Sequence, residues 1–294
     1  MLPRHIKEKI IKNIFLIIAA TSIFIILFIF FFLFQKALPA FQQLGLDIFS
    51  TKWSPTQGEY GIGGAIFGTI LVTIGAMLIA IPFGLLGAIF LSEIAPNKLR
   101  VILKPVIEIL AGIPSVIYGF IGVVILVPYL QPNFDMLSGY SILAGSLILG
   151  VMALPIIISM SDDAIKSVPK NFKEASLALG ATKWETIKKI TLPSAISGIS
   201  AAIVLGMGRA IGETIAVSLV LANNPKIPSP FWDFFETTGT TLTALIVNEM
   251  GEAYGLQTNA LFSAAVILFV IVAALSITSN ILKNRIEKKF KGGK

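Results

Sequence analysis

The chain has 294 residues, 55% of them hydrophobic and only 13% charged, with a formal charge of +7 and no cysteine. A composition that apolar excludes an ordinary soluble domain of this length. Disulfide and thiol chemistry are excluded with it, and the single histidine, His5, sits in a basic N-terminal tail with nothing nearby to complete a metal site.

Residues 1–13 read as a basic anchor. Ile14–Phe34 is the first long apolar run, enough to cross a hydrocarbon core of about 30 Å. It is too long for a signal-peptide core, and Ala37-Leu38-Pro39-Ala40 is a poor cleavage site, so an uncleaved span is expected. An outer loop follows over 35–63, where Trp53, Pro55 and Gly58 suggest turns rather than a domain, with Trp53 expected in an interfacial aromatic belt. Further spans are expected at Gly64–Leu91, Ile109–Leu130, Ile142–Met160, Ala195–Leu221 and Ala260–Leu282. The outcome is an all-α polytopic membrane protein of six helices. Residues 1–63 hold the tail, first span and outer loop, 64–282 form a five-helix core, and 283–294 are a basic tail.

Lysine and arginine fix the expected orientation. The N-terminal tail, the loop near Lys98, the Asp162–Pro193 loop and the C-terminal tail carry nineteen, whereas the alternate loops carry three, Lys36, Lys52 and Lys226. Basic loops stay in the cytoplasm, so both termini are expected there. A nucleic-acid role has little support, because no basic face sits on a folded soluble module.

The second span is rich in small residues and contains Pro82, which suits close packing. It ends Phe90-Leu91-Ser92-Glu93-Ile94-Ala95-Pro96. The third opens Ala111-Gly112-Ile113-Pro114-Ser115-Val116-Ile117-Tyr118-Gly119-Phe120. A Pro-Ser pair followed by glycine bends a membrane helix; the bend either exposes backbone, Ser115 and Tyr118 to a cavity or serves packing alone.

The polar stretch Asp162–Pro193 interrupts this apolar chain. Its pattern predicts two short helices. Pro169 fits the first turn of one and Gly180 the left-handed position that ends it. Thr182 and Glu185 have capping-box spacing for the next. Phe172, Ala175 and Leu179 share one face of the first helix, and Trp184, Ile187 and Ile190 one face of the second. Such a pair either docks into a partner's groove or lies on lipid and its own bundle.

Arg209 falls near the centre of the fifth expected span, with Glu213 one turn on. An arginine at mid-bilayer costs about 2.5–3.5 kcal/mol on insertion scales, so it faces protein or water. Gly208 and Gly212 form one small-residue row, and Ala202, Gly206 and Ala210 another, for close helix approach. Two readings stand. Arg209 and Glu213 pair at i,i+4 and fix packing, or they form an anion site. Guanidinium suits phosphate by its planar, permanent charge, and a phosphate that keeps a P–OH can also donate to a carboxylate. The outer stretch Ala222–Asn259 carries Asn223-Asn224-Pro225 and Pro228-Ser229-Pro230, then a short helix expected within Thr240–Glu252. It offers a surface to an external partner or caps the bundle. There is no Gly-x-x-x-x-Gly-Lys-[Ser/Thr] phosphate loop, and no acid–base or nucleophile constellation.

Glu174-Ala175-Ser176, Gly180 and Ile190-Thr191-Leu192-Pro193 resemble the EAA loop of ABC importer permeases, with Ser176 replacing a second alanine. The blocks at 90–96, 111–120, 208–217 and 241–255 resemble the phosphate-specific permeases of that family. Ile215-Ala216-Val217 after Gly212-Glu213-Thr214 favours their C-type subunit. The resemblance implies a type I importer permease fold and import of inorganic phosphate across a prokaryotic inner membrane. It implies a heterodimer with an A-type permease, two ATPase copies that use ATP and Mg, an external phosphate-binding protein, and no cofactor on this chain. It assigns Arg209 and Glu213, with Ser115 and Tyr118, to the substrate pathway. Glu174, Ala175, Gly180, Trp184, Ile190 and Pro193 are assigned to ATPase coupling.

Overall fold

The computed structural model describes residues 4–134, 136, 138–224 and 237–291. Lys226, Pro225, the Pro228-Ser229-Pro230 turn and the side chains of His5 and most of the 283–294 tail lie outside that description. Among the described residues six helical segments are long and apolar enough to cross a membrane.

Helix α1 (Arg4–Leu44) runs unbroken well past the expected first span, through Pro39. A short 3-10 turn leads to a two-stranded hairpin, β1 (Trp53–Ser54) and β2 (Glu59–Tyr60), so the outer loop is made of turns as expected. Trp53 stands on β1, half-buried. Its ring packs edge-on against Tyr60 at 5.9 Å, in an apolar cluster that includes Ile48, Ile62 and Leu242. Helix α2 (Gly63–Ile89) ends in a π-turn, Phe90–Ile94.

The third expected span is divided. Helix α3 (Asn97–Gly112) is a separate amphipathic helix, and the crossing is α4 (Ser115–Ile121), a π-turn over Gly122–Leu126 and α5 (Val127–Asn133). The separation falls at Ile113 and Pro114, both extended, because a proline disfavours helical backbone in the residue before it. Helix α6 (Ile142–Lys166) starts where Ser141 accepts a hydrogen bond from the Ala144 N–H.

Helix α7 (Lys170–Ala178) is the first of the polar pair, with Pro169 at its N-cap rather than in its first turn. Helix α8 (Lys183–Thr186) follows, but it is not a free helix. A π-turn over Ile187–Thr191 joins it directly to α9 (Leu192–Gly212), so Lys183–Gly212 is one rod. Each of the three π-turns is followed two residues later by a proline: Pro96, Pro128 and Pro193. Proline removes a donor and presses on the carbonyl four residues back, and the wider π-turn gives that carbonyl room. A helix can therefore continue through Pro128 and Pro193. Helices α10 (Ile215–Val220), α11 (Leu242–Met250) and α12 (Leu256–Lys291) complete the chain, and α11 lies within the expected Thr240–Glu252 stretch.

Helix α6 is the axis of the bundle, the most buried of the six spans. Ile157 wedges between α2 and α9, since a methyl at Gly84 or Gly206 would stand 2.6 or 2.8 Å from its side chain. The row Ala202–Gly206–Ala210 thus packs inside the chain. Lipid offers no hydrophobic drive between helices, so this close contact is what binds them. A second cluster ties the polar end together, joining Ala88, Ile89, Ile165, Ile187 and Ile199.

Candidate functional site

Helix α9 ends at Gly212, inside the expected fifth span. Glu213 is extended (φ −71°, ψ 132°), and α10 restarts at Ile215. Side chains repair the break. The Glu213 carboxylate accepts the Ala216 N–H at 3.3 Å, and its carbonyl accepts the Thr243 hydroxyl at 2.8 Å. Helical i,i+4 geometry is thereby lost. Among the described residues no ion pair joins Arg209 to Glu213, contrary to the pairing that sequence spacing allows.

Arg209 stands in the last turn of α9, half-buried, where the helix dipole favours a cation. Among the described residues its guanidinium makes no hydrogen bond or ion pair. It lies close enough to Tyr118 to act on it electrostatically. Tyr118 is buried on α4 and donates its hydroxyl to the Leu110 carbonyl of α3 at 2.9 Å, bridging the Ile113–Pro114 break. Ser115 is half-buried at the first position of α4. Two broken helices, α3–α4 and α9–α10, meet here, with α4 packed on α10 and Tyr118 within electrostatic reach of Arg209. The Gly208–Gly212 row and Leu205 remain open; a methyl on either glycine would meet nothing within 4 Å.

The side of this site away from the α7–α8 pair is held by α11. Thr241 caps it, and the Leu242 N–H donates to Thr69 on α2 at 2.9 Å. Asn248 and Ser218 join α11 to α10 through hydrogen bonds of 3.0 and 3.2 Å. None of these contacts was apparent from motif spacing.

At the polar end, Gly180 takes the left-handed conformation (φ +85°) and Thr182 with Glu185 forms the capping box, as expected. Ala175, Ile190 and Pro193 line one groove of about 740 Å³ with Phe172 and Leu179. Glu174 is exposed on α7. Trp184 and Ile187 part company. Trp184 is 58% exposed while Ile187 is buried among α2, α6 and α9. Ser176, the departure from the family pattern, hydrogen-bonds Thr186 at 2.9 Å and so joins α7 to α8. Lys173 bonds Glu93, anchoring α7 to the end of the second span.

Six spans, two of them flanked by helix breaks around one arginine, and an apolar-faced helix pair at one end define a polytopic membrane permease. Residues 80–292 match the family described as binding-protein-dependent transport system inner membrane component, and the chain belongs to that family. The "Probable ABC transporter permease protein YqgH" of Bacillus subtilis (strain 168) is 44% identical over 264 residues, covering 87% of this chain and 83% of its own. The "Phosphate transport system permease protein PstC" of Xylella fastidiosa is 37% identical over 270 residues, covering 85% and 82%. The fold is similar to that in a crystal structure of a bacterial alginate ABC transporter, with TM-score 0.64 and 20% identity over 95% of this chain and 98% of that one.

Proposed function

We propose that this chain is the phosphate-passing subunit of an ATP-driven importer, working by alternating access. The observation that carries the reading is Arg209, a half-buried cation at a helix break that makes no ion pair among the described residues. Similarity to a phosphate permease supports the choice of anion. A protonated phosphate oxygen suits the neighbouring Glu213 carboxylate, whereas sulfate has no proton to offer it.

The open Gly208–Gly212 row faces the A-type partner permease in this reading. The α7–α8 pair, with Phe172, Leu179 and Trp184 outward, sits in one of two ATPase subunits, which bind the ATP and Mg. An external phosphate-binding protein delivers the anion at the end that carries α11. The nineteen-to-three bias of basic residues supports cytoplasmic termini in a prokaryotic inner membrane.

The test is ATP-dependent uptake of labelled phosphate by vesicles that contain the whole complex. Hydrogen bonds to a charged group contribute about 1.5–3 kcal/mol, so Arg209→Gln should assemble yet lose roughly ten- to a hundredfold in uptake. Normal uptake by that variant would remove Arg209 from the path. Effective competition by sulfate would overturn the substrate, and uptake without the ATPase would overturn the class.

A further inference from the structure

Helix α3 is held in an unusual way. It has 16 residues, and none of them is buried. Each end is a pair of extended residues, Ala95–Pro96 before it and Ile113–Pro114 after it. Pro105 lies within it, and the helix stays unbroken through that position. Its stripe Arg100, Leu103, Lys104 and Ile107 is half-buried and the helix packs on α6, so with two extended joints its position depends on that packing and on the side chains that tie it.

Two ties exist. The first is at the root of the polar pair, on the last two turns of α6. The Asp162 side chain is fully buried, and it meets Lys104 of α3 at 3.4 Å, Arg100 of α3 at 3.9 Å and its own helix's Lys166. Lys104 also bonds Asp163. The Asp163 hydrogen bond, opposed by some burial and aided by both carboxylates, raises the Lys104 pKa above its ordinary value, so the lysine stays charged. A buried carboxylate held by several cations is costly to strip of any one of them. The second tie is the Tyr118 hydroxyl on the Leu110 carbonyl, within electrostatic reach of Arg209. Lys104 and Leu110 are six residues apart, about 9 Å along a helix.

From these contacts we infer that α3 is a lever, with Asp162 its fulcrum, that carries movement of the α6–α7 root to Tyr118 and so to the Arg209 site. The Lys173–Glu93 bond brings α7 to the other joint as well, two residues before Ala95. Asp162 is therefore a positioning residue, acting through α3 and never touching the substrate. The inference rests on the proposed import function, and native uptake separates the two: a native complex that moves no phosphate sinks the function, while the comparisons below address the lever.

Reconstituted complexes are compared for phosphate moved per ATP hydrolysed. Coupling between sites typically corresponds to about 5–150-fold, so Asp162→Asn should keep ATP hydrolysis and lose at least about fivefold in phosphate per ATP. The chain has no native cysteine, so Lys104→Cys with Asp163→Cys, in a complex with cysteine-free partners, provides a second variant at the surface. It should be uncoupled in the same way, and a short bifunctional thiol reagent joining α3 to α6 should restore phosphate per ATP. Native coupling in the double-cysteine chain before cross-linking, or a cross-link that leaves transport blocked, overturns the lever. So does native coupling in an assembled Asp162→Asn complex. Should that variant fail to assemble, the cysteine pair decides alone.

Discussion

Gly68 on α2 faces the backbone of the segment that leads into α11. A methyl placed there would lie 2.1 Å from the Thr240 carbonyl oxygen, against about 3.3 Å for a relaxed C···O contact, so Gly68→Ala must drive the segment back by about 1 Å. The next contact along is the Leu242 N–H to Thr69 Oγ1 bond, 2.9 Å long, and such a retreat takes it out of range. Leu242 is fully buried, so its N–H is left unpaired at a cost of about 1–3 kcal/mol. Overpacking adds about 1–3 kcal/mol, for a combined destabilisation of about 2–6 kcal/mol. The assay is thermal unfolding of the purified complex, followed by tryptophan fluorescence, since Trp53 lies in the same outer cluster. Ile70→Ala is the control, being 43% exposed on the same helix. A Gly68→Ala complex that melts with the native protein would refute the reasoning, because it would mean that the α2–α11 contact bears no weight.

Thr243→Val removes the hydroxyl that holds the Glu213 carbonyl. It should cost about 1–3 kcal/mol for the half-buried acceptor left behind, and should lower phosphate uptake without loss of ATPase assembly, measured in the same vesicles. Ser176→Ala restores the family's alanine but cuts the bond to Thr186. A neutral hydrogen bond is worth about 0.5–1.5 kcal/mol net, so amide exchange in α7 should quicken by up to about tenfold while ATPase binding persists.

Much of this fold was legible in the chain because bilayer crossing imposes long apolar runs, and Gly180 and the Thr182–Glu185 box are local signals with local causes. The departures share a different origin. Arg209 and Glu213 were spaced for a helical pair, but Gly212-Glu213-Thr214 holds no proline to announce a break; the break exists because Thr243, thirty residues on, satisfies the freed carbonyl. The second short helix of the Asp162–Pro193 stretch was read apart from the fifth span, yet a π-turn joins the two into one rod. The third span was expected from Ile109, inside α3, because an amphipathic helix and a crossing one abut at a single Pro-Ser pair. The Asp162 cluster joins residues about sixty positions apart, a distance at which spacing carries no information.

The first and last helices of the chain are partners. Phe30 of α1 meets Phe269 of α12 at 5.0 Å, Phe32 meets Phe262 at 6.2 Å, and Ser263 donates to the Ala37 carbonyl. Synthesis delivers α1 before α12, so α1 must wait in the bilayer while the helices between them are made. Its sequence suits the wait. It has the most apolar crossing of the six, with none of that stretch buried by protein, so lipid alone satisfies it, and its backbone bonds are closed within itself. The α1–α12 contact forms only once α12 has been made, and a chain truncated before Leu256 leaves α1 inserted but unclaimed.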